Sequence, residues 1–150
     1  MDEVDRKILV ELARDSRQPI YVIAKKMGVS RQTVAKRIER LKALGVEFTV
    51  RINPSMLGLN VRGYVMLRLD PRPEIRKKFE KKIEKLKQVV RLHYLLGPED
   101  AILEVLAQNN EEISALVKKL HTFPGVRETE TFLIHSTVKE ENILNLLEAK

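Results

Sequence analysis

The 150-residue chain contains no cysteine. Disulfides, thiol nucleophiles and cysteine-ligated metals are therefore excluded together, a usage that fits a reducing compartment. No apolar run approaches the roughly 18 residues that a membrane helix needs. The first residues, Met1-Asp2-Glu3-Val4-Asp5, are acidic and unlike a secretory leader. A cytoplasmic protein with no membrane partner is the expectation. Asparagine and glutamine together number only ten, while 33% of residues are charged, a balance that hints at a heat-adapted source. His93, His121 and His135 are far apart and lack metal-ligand spacing. There is no phosphate-binding glycine loop, nucleophile elbow or convincing carboxylate pair. No enzyme, catalytic residue, metal or required cofactor is expected.

Acidic residues are also scarce where it matters. The formal net charge is +7, with a pI near 9.7, and such an excess calls for an acidic partner. Residues 1–53 hold 12 Lys/Arg against 7 Asp/Glu, and residues 54–150 hold 16 against 14. Between Ile20 and Gly45 there are seven basic residues and one acid, Glu39. Hydrophobic residues make up 43% of the chain, enough for a packed core.

The apolar spacing predicts a helix from about Asp2 to Asp15, with Val4, Ile8, Leu9 and Leu12 on one stripe. Asp2 is placed to cap it. A second helix follows Pro19, with Ile20, Ile23, Ala24 and Met27 at helical spacing, and Gly28 ends it. Ser30 caps a third, whose Val34, Ile38, Leu41 and Leu44 face inward before Gly45 stops it. An extended segment over Glu47–Ile52 leads to a boundary at Asn53-Pro54 through Gly58. Beyond it, Val61–Leu69 reads as strand, Glu74–Lys87 as helix and Val89–Leu96 as strand. A turn at Gly97–Asp100 leads to strand Ala101–Ala107, helix Glu111–His121, strand Val126–Val138 and helix Glu140–Glu148. The fold class is α+β: a helix-turn-helix domain (1–46), a β hinge or linker (47–60) and a ferredoxin-like βαββαβ domain (61–150).

Three short helices with a glycine turn between the second and third make a helix-turn-helix. Ala24 is small where the helices cross, Gly28 stands in the turn, and Val34 faces back. The free face of the third helix is basic. A solvated face is the alternative, but the turn geometry and one-sided charge favour double-stranded DNA. The N-terminal part of such a helix reaches base edges in the major groove. Arg31, Gln32, Thr33 and Lys36 are the base-contacting candidates. Arginine and lysine suit guanine, glutamine suits adenine, and Thr33 suits a thymine methyl. Lys25, Ser30, Arg37 and Arg40 are the phosphate candidates.

The stretches "MDEVDRKILVELARDSRQPIYVIAKKMGVSRQTVAKRIERLKALGV", "INPSMLG", "LLGPEDAILEV" and "FPGVRETETFLI" resemble the Lrp/AsnC family of prokaryotic transcription regulators. The resemblance covers nearly the whole chain, and its first block is the most specific. It implies a winged or plain helix-turn-helix joined by a β hinge to a sensing and assembly domain. It also implies homodimers formed through the C-terminal sheets, often assembled into octamers, and an amino-acid effector. The effector residues carried over are Gly97, Asp100, Thr129 and Thr131, with Asp100 for the ammonium group and the threonines for the carboxylate. An ordinary hairpin turn and ordinary strand threonines are the alternative. Two departures stand out: Pro98 removes a backbone donor from the loop, and the hinge is about two residues shorter than the family pattern. Glu99, Asp100 and Glu104 make the neighbourhood acidic and favour a basic amino acid. The very basic stretch from Arg76 to Lys87 reads either as a second DNA surface or as a solvated face with Glu74–Lys78 and Arg76–Glu80 pairs.

The expectation is a sequence-specific, DNA-binding transcriptional regulator. An architectural DNA-coating protein with little sequence preference is one alternative, and an effector sensor acting through hetero-assembly is another.

Overall fold

Asp2 opens the first helix. Its side chain accepts the Asp5 N–H at 2.9 Å, and Asp5 returns the bond to the Asp2 N–H at 3.1 Å, a reciprocal cap that satisfies two orphan donors. The computed structural model describes residues 1–140. It divides into two compact units, one holding Met1–Arg51 and the other Ile52–Thr137. The closing helix expected over Glu140–Glu148 lies, apart from Glu140, outside the described residues.

In the first unit, α1 (Glu3–Arg14), α2 (Ile20–Met27) and α3 (Arg31–Ala43) pack around one core. Ile8, Ile23 and Val34 are fully buried at its centre, with Leu9, Leu12, Ala24, Ile38 and Leu41 around them. Each valine, leucine or isoleucine among them contributes about 1.5–3 kcal/mol when removed from water. Met27 and Val29 pack at the margin. Gly28 takes φ 66°, a left-handed turn that costs other residues strain, and its N–H caps α2 through Ala24 and Lys25. Pro19 is the N-cap of α2. Leu44, expected inward, is the C-cap of α3 and is 68% exposed. Residues 46–53 form no strand. A strand needs a neighbouring strand for its backbone, and residues 47–52 have none among the described residues.

The second unit begins with a short 3-10 turn, Pro54–Leu57. Then come β1 (Val61–Leu69), α4 (Pro73–Ile83), β2 (Val89–Tyr94), β3 (Ala101–Ala107), α5 (Asn110–Leu120) and β4 (Val126–Leu133). The sheet order is β2-β3-β1-β4 and every pairing is antiparallel. This is the ferredoxin-like arrangement that the element order predicts. Directly paired residues share a face of the sheet. Val65, Leu67, Leu103 and Val105 are fully buried on one face, under Phe79 and Ile83 of α4 and Ile113, Leu116 and Leu120 of α5. Phe79 and Phe123 meet edge to face at 6.4 Å. At Gly63 an added Cβ would sit 2.8 Å from the Phe132 carbonyl oxygen, so only glycine admits this approach of β4 to β1. Asp70 anchors the start of α4, accepting two bonds from the Arg72 guanidinium at 2.9 and 3.0 Å and one from Arg127 at 3.2 Å. The Arg72 hydrogen bonds hold the Asp70 carboxyl well below the usual carboxylate range. Both α4 and β4 stop short of their expected ends.

Candidate nucleic-acid interface

The exposed side of α3 follows from which side is buried. Val34, Ile38 and Leu41 face the core, so at 3.6 residues per turn Gln32 and Lys36 point the opposite way. Both are exposed and make no side-chain hydrogen bond or ion pair among the described residues, and the same holds for Lys25 on α2. The helix is 13 residues long, roughly 20 Å. A helix of this kind fits a major groove about 12 Å wide.

The other candidates are engaged within the unit. The Arg31 guanidinium lies over the Tyr21 ring, 5.4 Å from its centroid. Ser30 is the N-cap of α3, its Oγ accepting the Thr33 N–H at 3.1 Å and lying 2.8 Å from Thr33 Oγ1. The two hydroxyls are thus committed to each other at the helix start. Arg37 donates to Asp2 and also to Asp5 at 3.2 Å, and Arg40 donates to Asp5 at 2.6 Å. Asp5 is fully buried. One carboxylate at the start of α1 therefore holds two guanidiniums of α3. The Asp5 N–H and then Arg37 hold the Asp2 carboxyl below its ordinary value, and the Asp2 and then the Asp5 carboxylate raise Arg37. Across the unit, Lys26 of α2 pairs with Glu11 of α1 and draws its carboxyl down.

Sequence reasoning read Asp2 only as a helix cap and Asp5 only as part of an acidic start. Their second role needs the packing of α1 against α3, which no local spacing reveals. The available signal was two acids in a unit whose third helix is basic.

In the second unit, Gly97 is exposed in the turn between β2 and β3. Asp100 is tied to β1: its N–H donates to the Leu67 carbonyl at 3.0 Å, and its Oδ2 accepts the Leu69 N–H at 2.8 Å. Thr129 pairs with Leu67 across β4 and Thr131 with Val65. Asp100 and Thr129 therefore flank Leu67 on opposite sides of β1. Thr129 Oγ1 lies 3.0 Å from His121 Nε2. The acidic residues here are matched by guanidiniums. Glu99 pairs with Arg68 at 3.4 Å, Glu104 with Arg91 and with Arg62 at 4.0 Å, and Asp100 approaches Arg76 at 4.0 Å. This balance removes the charge argument for a basic ligand. Among the described residues no group of His, Cys, Asp or Glu is placed to hold a metal ion, and no helix is long and apolar enough to cross a membrane.

Residues 1–42 match the AsnC-type helix-turn-helix domain, and residues 62–144 match the Lrp/AsnC ligand binding domain. An uncharacterized HTH-type transcriptional regulator of Pyrococcus abyssi is 36% identical over 145 residues, covering 94% of this chain and 97% of that one. The HTH-type regulator AldR of Mycobacterium tuberculosis is 35% identical over 139 residues, covering 89% of this chain and 77% of that one. AsnC of E. coli superposes with a TM-score of 0.86 at 26% identity, covering 96% of this chain and 98% of that one. A transcriptional regulator from Neisseria meningitidis, solved as a complex with L-Met, shares the fold with a TM-score of 0.86 at 19% identity, over 93% of each chain. With both domains matched in order, and a relative of this identity aligned over almost its full length, the chain belongs to the Lrp/AsnC family of DNA-binding, HTH-type transcriptional regulators.

Proposed function

We propose that this regulator reads its operator with the exposed face of α3. Gln32 and Lys36 contact base edges directly, with Arg31 and Thr33 at the helix start beside them. Lys25, Ser30, Arg37 and Arg40 take phosphates. The carrying observation is that Gln32 and Lys36 stand opposite the buried stripe and have no competing partner among the described residues. A glutamine amide matches adenine N6/N7 in two bonds, worth about 1–3 kcal/mol of discrimination. In a binding selection on random duplexes, Gln32→Ala is expected to relax one base preference while leaving general affinity largely intact. Equal losses on every sequence would remove Gln32 from the reading set.

The effector is an amino acid, held at Gly97, Asp100, Thr129 and Thr131. The match to a ligand binding domain and the placement of Asp100 and Thr129 on either side of Leu67 support this. Calorimetric titration with the free amino acids is expected to give saturable heat for at least one. Flat titrations for all would eliminate the effector.

The regulator works as a homodimer, assembled further into rings such as octamers. Two half-sites one helical turn apart multiply the few contacts of a single helix-turn-helix. The sheet face away from α4 and α5 carries Tyr64, Met66, Ile102, Leu106 and Phe132, and Phe132 is 50% exposed. A second copy covers this apolar strip.

A further inference from the structure

The major-groove reading leaves one strongly charged surface unused. Helix α4 turns Phe79 and Ile83 into the core, and its opposite side carries lysines. Lys77, Lys78 and Lys81 on the helix, and Lys85 and Lys87 in the turns that follow it, are all exposed, and none has an ion pair or hydrogen bond among the described residues. The neighbouring cations behave differently. Arg76 lies over the Tyr94 ring at 4.9 Å and Lys82 over Phe123 at 5.0 Å. The bland explanation of the row was mutual neutralisation along the helix. Among the described residues, however, the Glu74–Lys78 pair does not form, and neither does Arg76–Glu80, since Glu80 accepts the Tyr94 hydroxyl at 2.8 Å and Arg76 is drawn to Tyr94 and Asp100.

We propose that this lysine row is a second, sequence-independent seat for double-stranded DNA, an inference that rests on the chain being a DNA-binding regulator. Lys77 and Lys81 stand one turn apart, roughly 6 Å along the axis of α4, and Lys85 lies in the turn that follows the helix. Over that one turn a duplex already presents about three phosphate charges, so several lysines find a phosphate without any shaped pocket. The absence of apolar anchors points the same way. Between residues 73 and 89 no large hydrophobic side chain is among those exposed. Protein partners are gripped through buried aromatic and aliphatic anchors, whereas a phosphate backbone needs only mobile point charges. α5 adds Lys118 and Lys119 in its last turn, on the same side of the sheet. DNA extending beyond the half-sites is the occupant with the matching charge.

The test is the salt dependence of binding, measured with the full chain and a long mixed-sequence duplex over a range of potassium chloride concentrations. In the triple variant K77A/K81A/K85A, the slope of log affinity against log salt is expected to be shallower by about two to three, since each lost phosphate contact removes roughly 0.9. The charge-preserving K77R/K81R/K85R keeps the native slope. All three positions are exposed, and circular dichroism checks that the variants fold alike. A native slope in the alanine variant would overturn the second seat while leaving the regulator intact. Failure of the native chain to bind any duplex would overturn both.

Discussion

Tyr94 shows surroundings, rather than residue type, setting behaviour. Its hydroxyl donates to Glu80 at 2.8 Å and its ring carries Arg76. Burial first, and the Glu80 carboxylate second, push its pKa up to about 12. The folded chain therefore holds this proton more tightly than the unfolded chain, whose tyrosines ionise near about 10. The stabilisation is fully present below about pH 10 and is lost as pH rises through the folded value. Ultraviolet titration of the native protein is expected to show a phenol step near pH 12 that Tyr94→Phe removes. If that variant instead removes a step near about 10, the hydrogen bond to Glu80 is wrong. At this scale the sequence was legible for side chains whose role follows from one helix. Gln32 and Lys36 are exposed because Val34, Ile38 and Leu41 are not. It was not legible for Asp5, whose burial depends on guanidiniums more than thirty residues away.

Elements with strong internal signals were found where expected. β1 and β3 match their expected bounds, because both are apolar-rich runs that end at turn residues, and their burial alternates along their length. The misses lie where pairing decides. Glu47–Ile52 alternates like a strand, yet among the described residues it has no neighbour to bond. The sheet order likewise could not be read from any one strand. Close approach between strands is equally nonlocal. Gly63 reads as an unremarkable strand glycine, but the Phe132 carbonyl oxygen occupies the place a side chain would take. Gly63→Ala is expected to push β4 off β1 and lower unfolding free energy by about 1–3 kcal/mol, the usual cost of forcing a methyl into a filled space. Denaturant unfolding checks this, and an unchanged midpoint would mean that the two strands separate freely.

For the whole molecule, the order of elements was enough to give a helix-turn-helix followed by a ferredoxin-like domain, since consecutive short elements leave few topologies. Assembly is a different matter, because an apolar sheet face looks the same whether water or a second copy covers it. If copies pair there, Phe132→Glu lowers the mass seen by light scattering towards the 17.4 kDa of one chain. An unchanged multimer would move the contact elsewhere. The electrostatics of the first unit have a last consequence. Asp2 and Asp5 already occupy the guanidiniums of Arg37 and Arg40. A phosphodiester that takes the Arg37 Nη1 or Arg40 Nη2 donor displaces a carboxylate, so docking through those atoms is a swap of one anion for another. Where Asp2 gives up Arg37 it loses one of the two bonds that hold its carboxyl low and keeps the other, from the Asp5 N–H, so gripping the operator there draws hydrogen ions from acidic buffer.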